Sequence, residues 1–277
     1  MSLVTVEFKK LMAKPRTYIS PALLVLLILL VFWAMAKEGE KVLDFAFQAL
    51  EETFVVEGEI LTGAFVSYLI LNTLWIHVPI LLLIVTGEIL GSEFESGTIR
   101  IMLVRPISRW KFLGVKFFLA LFYSFLFVGI LFLFTYFPAL LLFGEGDLLV
   151  FIEGLQVVPS SELGTRFLYA FWHSALSMGC LGSLSVAIGT FTQKSLTTIL
   201  ITLGILIFST LIQTLGPTIF PGWENFLLTH HFSKWQLLFK INIPWSGILA
   251  SQLWMLVLIA ICMTVSFVKF ESLKITE

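Results

Sequence analysis

The sequence predicts an all-α integral membrane protein with six transmembrane helices, both termini in the cytoplasm and a cytoplasmic amphipathic helix between spans two and three. Three observations predict it. Of the 277 residues, 58% are hydrophobic and 13% charged, about half the charged share of a soluble domain, so most of the surface faces lipid. Six apolar runs reach the roughly 20 residues that cross a bilayer core. Lys and Arg are distributed unevenly between the two sets of connecting segments.

The runs cover residues 18–36, 63–86, 112–143, 167–191, 196–215 and 247–268. The first follows a basic stretch, yet it is too long for a signal peptide and lacks a small-residue cleavage site, so it reads as a retained anchor. The third is long enough to tilt or to stand above the membrane. Only Thr192 to Ser195 separate the fourth and fifth, which forces an antiparallel hairpin. Lys9, Lys10, Lys14, Arg16, Arg100, Arg105, Arg109, Lys111, Lys116, Lys194, Lys269 and Lys274 fall on one side; Lys37, Lys41, Arg166, Lys234 and Lys240 fall on the other. The richer side is expected to be cytoplasmic. The first outer loop is acidic, from Glu38 to Glu59, and its Leu43, Phe45, Phe47, Leu50 and Phe54 suit either an amphipathic helix on the outer leaflet or a solvated loop. No internal repeat is visible, and the two halves share no pair of broken helices of the kind secondary transporters use.

A net charge of −1 gives no electrostatic footprint for nucleic acid. Cys180 and Cys262 lie in apolar runs and read as packing thiols, with no metal site expected. No phosphate loop, HExxH or GxSxG occurs, so no catalytic residue is assigned. Ser183 or Ser185 with His173 is the nearest thing to a catalytic set, but all lie on one span about three turns apart. With Gly179, Gly182 and Gly189 the serines read better as a small-residue packing face. Polar residues within the spans remain candidates for function or for interhelical hydrogen bonds: Asn72, Thr73 and His77 in span two, Thr197, Thr198, Thr202, Ser209, Thr210 and Gln213 in span five, Ser251, Gln252 and Thr264 in span six.

The segment Gly87 to Phe117, GEILGSEFESGTIRIMLVRPISRWKFLGVKF, is the most informative. Span two is expected to end at Glu88. Thr98 to Val104 predicts a short helix with Ile99, Met102 and Leu103 at helical spacing. Pro106 stops it, and Ser108 is placed to cap the next helix. Such a helix suits either a groove on a soluble partner or contact with anionic lipid.

Within this segment Glu93, Glu95, Gly97, Thr98, Ile99, Arg100, Leu103, Pro106, Ser108, Arg109, Gly114 and Lys116 form a pattern. It resembles the stretch after the second span in type 2 ABC transporter permeases. Six spans, the basic segment Val4 to Arg16 and the closing Val268 to Leu273 are also similar to that family, although Glu271 and Ser272 depart from its usual tail. The resemblance implies that residues 93–109, with Met102 and Arg105 among them, form a coupling helix seated in a separate ATPase subunit. It implies an interfacial helix at residues 4–16 and half-inserted outer helices at 216–240. Two copies, or one with a paralogue, would pair in the cell membrane, with two ATPase subunits holding the ATP and Mg. The chain itself would carry no cofactor and no enzymatic site. Asn72, His77, Thr202, Ser209 and Gln213 would then line the translocation path, and the Phe- and Leu-rich walls favour export of a hydrophobic or amphipathic cargo. An ATP-independent carrier and a membrane-embedded enzyme are the alternatives.

Overall fold

The computed structural model describes residues 3–51, 60–99, 108–152, 154–219 and 222–273. The order is α1 (Leu3–Ala13), α2 (Arg16–Glu51), α3 (Gly63–Thr73), α4 (His77–Thr86), α5 (Glu88–Glu95), α6 (Arg109–Phe143), β1 (Leu148–Phe151), β2 (Leu155–Val158), α7 (Ser160–Thr192), α8 (Ser195–Ile219), α9 (Leu228–Ser233) and α10 (Trp245–Ser272). Single 3-10 turns, Trp223–Phe226 and Lys234–Phe239, flank α9. Among the described residues six helices are long and apolar enough to cross a membrane: Arg16–Gly39, His77–Glu95, Arg109–Phe143, Ser160–Thr192, Ser195–Leu215 and Trp245–Ser272.

Each peripheral span buries one stripe and leaves the rest apolar. In α2, Leu24, Ile28, Phe32 and Met35 are buried at helical spacing, whereas Leu23, Leu26, Leu30 and Trp33 are exposed. In α10, Ile248, Ser251, Met255, Ile259, Cys262 and Ser266 form the inward stripe and Leu249, Leu253, Leu256 and Val265 the outward one. α7 sits centrally, packed by α4, α6, α8 and α10. Its run Gly179, Gly182, Ser183, Ser185 and Gly189 is buried. A Cβ on Gly182 would lie 2.9 Å from the Ser124 hydroxyl of α6, so the predicted small-residue face permits this approach. Gln193, in the left-handed conformation, makes the tight turn between α7 and α8.

Several sequence expectations change. Span two, expected unbroken over 63–86, is interrupted after Thr73. Pro79 has no N–H for the Trp75 carbonyl, and it sits in the first turn of α4, where a helix tolerates it. Span two also does not end at Glu88, because Gly87 keeps α-helical angles and α5 continues to Glu95. The first outer loop, read as either a surface helix or a solvated loop, begins instead as a continuation of the first span, which stays helical to Glu51; Phe54 lies outside the described residues. Between spans three and four, Leu148 to Val158 forms an antiparallel hairpin with Val150 opposite Gln156. Spans four and six are longer than expected, and Arg166, read as a loop residue, belongs to the second turn of α7.

Candidate functional site: an ionic bracket and an inserted plug

The two ends of the bundle are built differently. At one end α1, α5 and the start of α6 meet around charged groups. Pro15 lies just beyond α1, and the Thr17 hydroxyl donates to the Leu11 carbonyl at 2.6 Å, folding α1 back against the bundle. Glu7, from the VEFKK stretch, is 1% exposed and pairs with Lys116 of α6, itself 2% exposed. Lys116 also lies 2.8 Å from Glu93 of α5. Lys10 bridges the same two carboxylates, at 2.7 Å from Glu7 and 3.0 Å from Glu93. Arg16 pairs with Glu88, and Lys14 donates to the Ser92 hydroxyl at 2.7 Å. Burial alone would raise the Glu7 carboxyl, but the charges and hydrogen bonds of Lys116 and Lys10 outweigh it and hold it below its ordinary value. Burial would lower Lys10, but its bonds to Glu7 and Glu93 leave it raised. Lys14 is lowered by burial and by the charge of Lys116.

Two more residues of the motif clamp neighbouring spans at this end. The Glu95 carboxylate accepts from the Ser195 backbone N–H at 3.0 Å and from its hydroxyl at 2.9 Å. It thereby satisfies an otherwise orphan donor at the positive end of α8. Gly91 enables this contact: a Cβ there would lie 2.7 Å from the Ser195 nitrogen. Arg109 donates to the carbonyls of Phe270, Glu271 and Leu273 at 2.8–3.2 Å, capping the negative end of α10. Ser108 caps α6 by accepting from the Lys111 N–H, as expected. Gly97 takes a φ of 68°, and the Thr98 hydroxyl lies 3.0 Å from that of Ser96. Ile99 is buried. Arg100, Met102, Leu103, Arg105 and Pro106 lie outside the described residues.

At the opposite end the stretch between spans five and six folds into the bundle. Trp235 packs against Tyr68 and Trp75, and Phe239 against Tyr68 and Phe167, at centroid distances of 4.9–6.4 Å. Arg166 is 6% exposed, pairs with Glu162 at 2.6 Å and donates to the Leu238 and Lys240 carbonyls at 2.9 and 2.5 Å. The hairpin joins in, because the Gln156 side chain accepts from the Ile241 N–H at 2.9 Å. Three of the five residues assigned to a path hold this plug. Asn72 accepts from Gln236 at 2.7 Å, Ser209 meets Thr229 at 2.9 Å, and Gln213 donates to Ser233 at 3.2 Å. Thr202 is buried and bonds back to the Thr198 carbonyl at 2.7 Å. His77 is exposed at the start of α4, beside the break, with no polar partner among the described residues.

His231 of the plug is held on three sides. His231 Nε2 meets the Asn225 carbonyl at 2.8 Å, its Nδ1 meets the Ser251 hydroxyl at 3.0 Å, and its ring stacks on Trp254 at 4.1 Å. The carbonyl requires a proton on Nε2, and the Ser251 hydroxyl beside Nδ1 also donates to the Gly247 carbonyl at 3.0 Å. Burial pushes His231 down to about 4 and also lowers His230. His173 Nε2 meets the His231 carbonyl at 2.9 Å and not a serine, while Ser185 bonds the Gly182 carbonyl. No His, Cys, Asp and Glu cluster able to hold a metal occurs among the described residues.

Sequence reasoning assigned Glu93, Glu95 and Arg109 to the bracket and placed Lys116 in the motif, but missed Glu7 and Glu88 as partners there and Arg166 at the plug. The available signal was Glu7, an acid within a basic amphipathic stretch. Five apolar spans around a central α7, the sixth, are the architecture of a multi-pass helical membrane protein. The chain belongs to the family described as protein of unknown function (DUF2705), which matches residues 22–274. No curated protein matches it.

Proposed function

We propose that the chain is the membrane-spanning permease subunit of an ATP-binding cassette transporter, pairing with a second copy or a paralogue and driven by two separate ATPase subunits. The observation that supports it is the bracket around residues 88–109. Glu88 ties the segment to Arg16 at the head of α2, Glu93 ties it to α1 and α6, Glu95 ties it to α8, and Arg109 ties the following helix to α10. A push delivered between Ile99 and Ser108 is thereby linked to spans one, three, five and six. In this reading the bracket end is cytoplasmic, in accord with the Lys and Arg bias, and residues 93–109 supply the coupling helix. The plug closes the outer end, and export of a hydrophobic or amphipathic cargo runs past α4 and α8, with Thr202 and His77 beside the route. ATP and Mg belong to the partner.

The test is co-purification with candidate ATPases, comparing the native chain with Arg100→Glu plus Leu103→Asp. Loss of a bound ATPase from the double variant, with the chain still folded, supports the reading. An ATPase bound equally by both forms, or by neither, sinks it.

One observation favours a second reading. The interruption of span two between Thr73 and His77 is a feature of ATP-independent carriers. That reading requires gradient-driven flux through the isolated chain in liposomes.

A further inference from the structure

We propose that the cavity of about 440 Å³ between α1, α5 and α6 holds the headgroup of an anionic phospholipid whose phosphodiester carries a hydroxyl-bearing alcohol, as a glycerol headgroup does. Charge balance is the first argument. Among the described residues Lys10, Lys14, Arg16 and Lys116 face Glu7, Glu88 and Glu93, so four positive charges meet three negative ones there. Lys14 lines the cavity, bonds the Ser92 hydroxyl and has no carboxylate within 4.0 Å among the described residues. A phosphodiester supplies a single negative charge to meet it.

The second argument is independent of the first. Glu93 lines the same cavity at 7% exposure, and its Oε2 has no hydrogen-bond partner among the described residues. A buried carboxylate oxygen requires a donor. A headgroup hydroxyl provides one when the carboxylate turns towards the cavity; a choline headgroup has none. The wall also carries Leu11, Ile89 and Leu119, which suit the glycerol backbone and first methylenes of a lipid better than a free phosphate. Leu119 lies on α6 between Phe118 and Phe122, both exposed, and Phe8 of α1 packs edge-on against Phe122 at 5.8 Å. The cavity is therefore flanked by the apolar surface that would face the acyl chains. A lipid bridging α1 to α6 would hold the α1 end of the bracket only in membranes that contain it. The site rests on neither the transporter reading nor an ATPase partner.

The full-length chain, purified in mild detergent, would be mixed with equal amounts of phosphatidylglycerol, phosphatidylethanolamine and phosphatidylcholine and examined by native mass spectrometry. Phosphatidylglycerol should be retained at least tenfold over the other two. Lys14→Gln should cut that retention tenfold without shifting the lipid-free melting temperature, whereas Lys9→Gln, on an exposed residue off the cavity wall, should leave it unchanged. Ala13→Phe, reaching in from the rim, should lower retention without altering charge and serves if Lys14→Gln fails to fold. Equal retention of the three lipids, preference for the amine lipid, or equal losses in Lys14→Gln and Lys9→Gln would overturn the proposal. Complete displacement of phosphatidylglycerol by millimolar inorganic phosphate would overturn the lipid as the source of the anion.

Discussion

Lys116 and Glu7 are almost wholly buried, and their pairing is expensive to break from one side only. Lys116→Met would leave Glu7 and Glu93 to share the one charge of Lys10 and should cost up to about 3–5 kcal/mol of stability, read as a fall in melting temperature in detergent. Replacing all three, with Glu7→Gln and Glu93→Gln added, should recover much of that loss, because the uncompensated charges are then gone. The Glu7 carboxyl is held below its ordinary 4.5, so its stabilisation is present above that pH and is lost as pH falls through the folded value. At the other end His231 works with the opposite group type but the same sign. Its folded value of about 4 lies below the ordinary 6.5, so the unfolded chain binds the proton more readily. Stability should therefore fall as pH drops from about 6.5 towards 4. Thermal melts at pH 7.5 and 5 should show this slope, and His231→Gln should flatten it, His230 and His173 remaining in place.

Between single residues and the bundle, the helix ends determine how motion passes. Glu95→Ala removes the acceptor for both donors of Ser195 and should cost about 1 kcal/mol. The consequence is local, so amide exchange at residues 195–198 should accelerate while the core of α7 stays protected. How much of this was legible in the sequence varies with the element. The apolar runs announced all six crossings, and Ser108 announced its cap, because hydrophobic periodicity and capping are local properties. The break before His77 was signalled by Pro79 but hidden within an unbroken apolar run. The hairpin at Leu148 to Val158 was hidden because short apolar stretches serve strand and helix alike. Arg166 was read as a loop charge because nothing local shows that the Leu238 and Lys240 carbonyls come to meet it. Asn72, Ser209 and Gln213 stood out as polar groups in spans, but their partners are contacts across 20 or 164 positions that spacing does not reveal.

For the whole molecule, a central α7 is enclosed by spans whose outer faces are apolar, with an ionic bracket at one end and an aromatic plug at the other. The segment most strongly tied to several spans is also the one that carries the family-like motif, and this coincidence supports the permease proposal. Under that proposal the bracket spreads one local push over several helices, and the break in span two is where that push changes exposure. The most direct measurement is the thiol reactivity of Ile76→Cys, an exposed position beside the break, in the chain reconstituted with its co-purified ATPase; Cys180 and Cys262 are buried and give a low background. The account predicts that ATP changes the labelling rate severalfold and that Glu95→Ala weakens the change while the ATPase stays bound. Identical labelling with and without ATP, together with flux of a solute through the chain alone, would contradict it.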